Sequence, residues 1–189
     1  MTPTRTPTRT PTGPTRTPTS TPPTPRLPGL AVLIPDVESE PGHRVPLDIY
    51  LAGGERTVGG LQFDLLLPQA AVASLNLGET SSDCVLPAEL TATHRLRAAH
   101  APDRPVTGFD RVRVLVLDGN VTDTDYSPTD TLADGVVVRC WLTVLSNAQR
   151  GRYPLRIDRP RAGDVRGTSL WPMPGRSSLW VGGCTGSCC

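Results

Sequence analysis

The run DGVVVRCWLTVLSNAQRGRYPLRI, residues 134–157, constrains the chain more than any other segment. Across 136–145 it alternates: Val136, Val138, Cys140, Leu142 and Val144 fall on one face, and Val137, Arg139, Trp141, Thr143 and Leu145 on the other. Period-two alternation with β-branched residues predicts a strand buried on one side. The polar stretch 146–152 (SNAQRGR) supplies a turn, and 153–157 resumes an extended run. Nothing in this segment resembles a reaction centre; it reads as the spine of a sandwich.

The same pattern recurs on either side. A short strand is expected over 29–37, stopped by Pro35, and a Pro-Gly turn lies within 38–43. In 44–51, Val45, Leu47, Ile49 and Leu51 share a face. In 57–67, Leu61, Phe63, Leu65 and Leu67 point inward and Gln62 and Asp64 outward, with Pro68 ending the run. Residues 70–77 read as a turn and a short strand, and the irregular block 80–105 holds one strand near 93–98. In 111–118, Val112, Val114 and Val116 face one way and Arg111 and Arg113 the other. A polar loop over 119–133, an arginine- and glycine-rich connection over 158–167 and a last strand at 178–181 complete the series. Short strands, frequent turn signals and no persuasive amphipathic helix predict an all-β antiparallel sandwich of about nine strands.

Composition separates this domain from its flanks. Nine of the 21 prolines fall within residues 1–28, a Thr-Pro repeat carrying arginine and no acid. Such a segment cannot bury a core, so it is expected to form a disordered, polyproline-like arm. Extended, it would hold its neighbours apart by up to roughly 85 Å at about 3.1 Å per residue, as a spacer with threonines open to O-glycosylation. The domain is expected over 29–182 and a cysteine-bearing tail over 183–189. Net charge is +1 and no lysine occurs, so no clustered basic footprint for nucleic acid is visible in the sequence. No apolar run reaches the ~18 residues that span a bilayer, and no charged-then-apolar leader pattern is visible after Met1.

Four segments, in this order, resemble the cohesin-like domains of bacterial extracellular proteins. EPGHRVPLDIYL is similar to the family's opening turn and strand, and VGGLQFDLLLP to its third strand. RVRVLVLD resembles its central strand, and LADGVVVRCWLTVLSNAQRGRYPLRI its final hairpin. The resemblance covers about residues 29–182 and implies a nine-stranded jelly roll, related to cellulose-binding modules. It also implies an extracellular or cell-surface, non-catalytic module that docks a dockerin-like protein through an outward sheet face. The chain reads as a fragment or module of a larger secreted or surface protein. Charged rows facing solvent would steer and register that partner, which makes Gln62, Asp64, Arg111 and Arg113 the candidate contacts. On this reading Arg111→Ala leaves folding intact. The alternative is polysaccharide binding by sugar-stacking rings, with Trp171 and Tyr153 as candidates; a purely structural module is a third reading.

Other chemistry is poorly supported. His43, His94 and His100 sit in polar or turn-like surroundings without a nucleophile elbow or a zinc motif. Cys184, Cys188 and Cys189 lack a CxxC pair and a nearby histidine, and no cofactor is implied. Asp118, Asn120, Asp123 and Asp125 crowd one loop but fit no EF-hand register, so a solvated loop is expected. Asn120-Val-Thr122 matches a glycosylation sequon. In an oxidising compartment Cys84 and Cys140 would close a loop of roughly 55 residues, stabilising by about 4 kcal/mol. Otherwise they stand as separate thiols, Cys140 in the core.

Overall fold

The computed structural model describes residues 29–54, 56–78, 81–120 and 128–182. The Thr-Pro arm, the cysteine tail, Asp123, Asp125 and Thr122 of the sequon lie outside them. Twelve strands are described: β1 (Ala31–Leu33), β2 (Val37–Ser39), β3 (Arg44–Ala52), β4 (Gly60–Pro68), β5 (Cys84–Val85) and β6 (His94–His100). They continue with β7 (Phe109–Asp118), β8 (Gly135–Thr143), β9 (Gly151–Gly163), β10 (Ser169–Leu170), β11 (Met173–Pro174) and β12 (Arg176–Val181). The smaller sheet runs β11-β1-β3-β8-β5 and the larger β2-β12-β9-β4-β7-β6, with β10 added beside β9. The result is an all-β sandwich.

The inner faces are those the alternation predicts. Leu61, Phe63, Leu65 and Leu67 of β4 and Val112, Val114 and Val116 of β7 are buried against Leu47, Ile49 and Leu51 of β3 and Val138, Cys140 and Leu142 of β8. Val137 departs from its expected outward face and is fully buried. The register explains this: Ile49 pairs with Val138 but Tyr50 with Val136, so Val137 is the extra residue of a bulge.

The expected first strand is two strands, because Pro35 interrupts it. β1 pairs with β3 and, in parallel, with β11, while β2 pairs in parallel with β12 in the other sheet. Two parallel pairings thus enter a sandwich expected to be antiparallel throughout. Asp36 fixes the crossing by accepting hydrogen bonds from the Ser177 hydroxyl (2.9 Å) and the Ser178 amide (2.8 Å). The crossing also dictates a glycine. A Cβ on Gly175 would lie 2.6 Å from the Val32 carbonyl oxygen and 2.9 Å from the Leu33 Cα. Both atoms belong to backbone that cannot step aside, so Gly175→Ala is expected to lower stability by about 1–3 kcal/mol. A melting temperature equal to wild type would show that β1 has room to shift.

Residues 158–163, expected as connection, extend β9, and the 80–105 block contributes β5 and β6. Of the stretch 70–77, Val72 and Leu77 make only isolated bridges, to Val144 and Ser82. Cys84 and Cys140 face each other across β5 and β8 and are disulfide-bonded, 56 positions apart. Besides the disulfide, the two-residue strand β5 is held through Asp83, whose carbonyl accepts the Trp141 amide (2.7 Å) and whose carboxylate accepts the Asn76 amide (2.8 Å). Replacing both cysteines with serine is expected to cost about 4 kcal/mol, read as a lower denaturation midpoint of the full chain. An unchanged midpoint would mean that local packing alone fixes β5.

Candidate docking face

The outer face of the larger sheet is the surface on which the sequence-predicted contacts meet. Pairing puts residues of four strands in rows across it. One row reads Arg97 (β6), Leu115 (β7), Gln62 (β4) and Arg161 (β9). The next reads Ala99, Arg113, Asp64 and Asp158, and a third runs from Arg111 through Leu66 and Arg156 to Arg176 of β12. A bulge in β9 sets this arrangement. Asp64 pairs with Asp158 and Gln62 with Arg161, so β9 spends one residue more than β4 between these pairs. Arg159 takes a left-handed φ of 49° there, and Pro160, with no amide to donate, sits in the irregular stretch. The extra residue turns Arg161 outward and Ala162 into the core.

At the centre of the face Asp64 is not a solvent-facing charge. It is 2% exposed, and Arg111 is 7% exposed. Arg111 lies flat across β4, its Nη1 donating to Asp64 Oδ2 at 2.6 Å and its Nη2 reaching Asp158 Oδ2 at 3.1 Å. Arg113 donates from Nε to Asp64 Oδ1 at 2.9 Å and from Nη2 to Oδ2 at 3.3 Å. Two long arginines therefore roof one short carboxylate. Burial alone would raise the Asp64 carboxyl. Hydrogen bonds from Arg113 and Arg111, with their charge, outweigh it and hold the group below its usual range. The same bonds, led by the Asp64 hydrogen bond, raise Arg113 further.

The expectation that all four candidate contacts face solvent is thereby corrected for Asp64 and Arg111. Gln62 and Arg113 remain partly exposed, whereas Asp64 and Arg111 are internal to an ion-paired cluster. Arg111→Ala is accordingly expected to lose about 1–3 kcal/mol rather than fold unchanged, because Asp64 keeps Arg113 but loses its second donor. Equal melting temperatures for variant and wild type would show that water replaces the guanidinium without cost.

Around this neutralised centre stands a rim that strand alternation alone does not reveal. Arg97, Arg152, Arg156, Arg161 and Arg176 are exposed, and among the described residues none has a salt-bridge partner. Three of them lie over aromatic rings: Arg152 over Trp180 at 5.4 Å, Arg156 over Phe109 at 5.2 Å and Arg161 over Trp171 at 5.0 Å. Arg97 and Arg113, with His100 and Asp103, border a shallow depression of about 240 Å³ at the β6 side. The alternation of arginines on β9 was the available signal, but with no sheet order it could not be joined to those of β6 and β12.

The other candidates lie elsewhere. Trp171 is 69% exposed beside a cavity of about 420 Å³ that Leu30, Arg56 and Met173 help to line. Tyr153 is half-buried against the core and donates its hydroxyl to the Gln149 carbonyl at 2.8 Å. Tyr153 lies near the start of β9 and Trp171 follows β10, which pairs with the far end of β9, so roughly 30 Å of strand separates them. They do not form a common sugar platform. Asp118 is fully buried and accepts amides of Asn120 (2.8 Å), Thr129 (2.5 Å) and Asp130 (2.6 Å). Burial opposes its ionisation, but these donors win and hold its carboxyl below the usual range. It ties a loop. Among the described residues no group of three metal-ligating side chains forms.

No protein-family model matches the chain, and no curated protein does. Solved structures do. The sixth cohesin of Acetivibrio cellulolyticus scaffoldin B, solved with a Cel5 dockerin mutant, matches 81% of this chain and 99% of its own with a TM-score of 0.56 at 18% identity. A non-cellulosomal cohesin of the archaeon Archaeoglobus fulgidus matches 83% and 94% with a TM-score of 0.54 at 14% identity. A cohesin module of a Clostridium perfringens family 33 glycoside hydrolase matches 81% and 95% with a TM-score of 0.52 at 12% identity. The fold is that of cohesin modules. The domain is a cohesin-like jelly roll.

Proposed function

We propose that residues 29–182 form a non-catalytic docking module that binds a dockerin-like protein through the outer face of β6-β7-β4-β9. The Thr-Pro segment 1–28 serves as its spacer and 183–189 as its tail. The observation that carries this reading is the construction of that face. Its centre is internally neutralised, while Arg97, Arg156, Arg161 and Arg176 at its margins are exposed and have no salt-bridge partner among the described residues. A charge-complementary surface held on a sheet rather than on loops suits registration of a folded partner. The Cys84–Cys140 disulfide belongs to an oxidising compartment, which supports a secreted or cell-surface location. The likeness to cohesins solved with dockerins supports the choice of partner class.

The test is an array of dockerin modules probed with the full chain, with cellulose, chitin and xylan in parallel. Micromolar or tighter capture by at least one dockerin, lost in Gln62→Arg at an unchanged melting temperature, is the expected result. Retention on a polysaccharide instead, abolished by Trp171→Ala, would replace docking with carbohydrate binding.

A further inference from the structure

We propose that the partner presents an acidic surface, with carboxylates set to meet Arg156 and Arg161 on one side of the face and Arg97 on the other. This rests on the docking reading above and adds the chemistry of the partner. Three observations converge on it. The exposed arginines outnumber the free carboxylates around them: Asp64 and Asp158 are already engaged by Arg111 and Arg113. The other carboxylates at its edges are Glu38, opposite Trp180 at the β2 margin, and Asp103, beside Arg97 in the β6-side depression, fewer than the exposed arginines. Second, Arg156 and Arg161 are held over Phe109 and Trp171, whereas Arg152, over Trp180, already donates Nε to the Ser178 hydroxyl at 2.6 Å. A guanidinium lying over a ring keeps its N–H edge free and loses little freedom when that edge takes a carboxylate bidentately. Third, the arginines are separated by Leu66, Leu115 and Leu117, which are partly or wholly covered and carry no charge.

That spacing favours a folded protein over a polyanion. A phosphate or sulfate backbone presents a continuous line of charge and is attracted by a continuous basic stripe. Here the positive positions stand in separate rows, Asp158 interrupts the middle one, and the whole chain carries a net charge of only +1. A protein module that alternates carboxylates with apolar residues fits discrete guanidiniums and the leucines between them.

A dockerin scaffold displayed on yeast, its exposed helix positions randomised among Asp, Ser and Lys, tests this with the full chain as bait. Enrichment of Asp at several positions is expected. Arg156→Glu/Arg161→Glu should weaken the selected binders on the order of 100-fold and, on reselection, shift enrichment toward Lys. Both arginines are exposed, so an unchanged melting temperature is the control that the variant folds. Enrichment of Ser or Lys by the wild-type chain, or affinity indifferent to the double substitution, would overturn the acidic partner while leaving docking intact. No enrichment of any variant would overturn docking, and this inference with it. Tighter retention on heparin or duplex DNA than on the selected binders in the same buffer would assign the rim to a polyanion.

Discussion

Asp64→Ala is expected to destabilise the domain by about 3–5 kcal/mol, although Asp64 lies on the outer face of its sheet. Removing the carboxylate leaves Arg111, itself buried, with only Asp158 to compensate it, and breaking a buried pair from one side costs that much. The substitution should reverse part of its own effect in acid. Because the Asp64 carboxyl sits below its usual range, the unfolded chain binds this proton first. Its contribution is fully present above the unfolded value of about 4 and is lost as pH falls through the folded value. His94 adds an earlier step with the same sign. Burial lowers it against the pull of Asp118 and Asp130, so its neutral form belongs to the native state. That contribution fades as pH drops below about 6.5. Denaturation midpoints of wild type and Asp64→Ala between pH 7 and pH 3 should therefore converge at the acid end. Parallel curves would show that Asp64 is protonated, or replaceable by water, in the native domain.

The second large effect belongs to the core. Val114→Asp or Leu142→Asp should abolish folding, because each places a carboxylate where the native side chain is wholly buried between the sheets. Both positions lie within the hydrophobic core cluster. An uncompensated buried charge costs several kcal/mol, against a total stability of about 5–15. Circular dichroism should show loss of the cooperative transition. A melting temperature near wild type would mean the faces of β7 and β8 are reversed.

These two variants mark how far the sequence could be read. Alternation located Val114 and Leu142 correctly, because side-chain period along a strand is a local property. It also put Asp64, Arg111 and Arg113 on one outer face. It could not say that two of the three are buried, since depth there depends on which strands lie side by side and on arginines reaching across β4. Val137 was missed for a related reason: a bulge is a mismatch between two strands and leaves no trace in one. The rim of the proposed docking face was illegible for want of sheet order. Arg97, Arg161 and Arg176 are far apart in sequence and come onto one face only through the order β12-β9-β4-β7-β6. The 158–163 run looked like a connection because Pro160 and its arginines carry a weak strand signal, and pairing with β4 and β10 overrides it.

The split first strand has a mechanical consequence. β1 and β2 each run parallel to a strand near the other end of the domain, β11 and β12 respectively. When a domain is pulled through residues 29 and 182, such parallel neighbours slide lengthwise past each other. Their backbone hydrogen bonds are then loaded together, in shear, rather than peeled one after another. With Ser177 and Ser178 anchored on Asp36, the join between entry and exit strands is where tension on the chain would concentrate. A module that links a tether to a docked partner would transmit pull through this join while the outer face of the larger sheet keeps its shape.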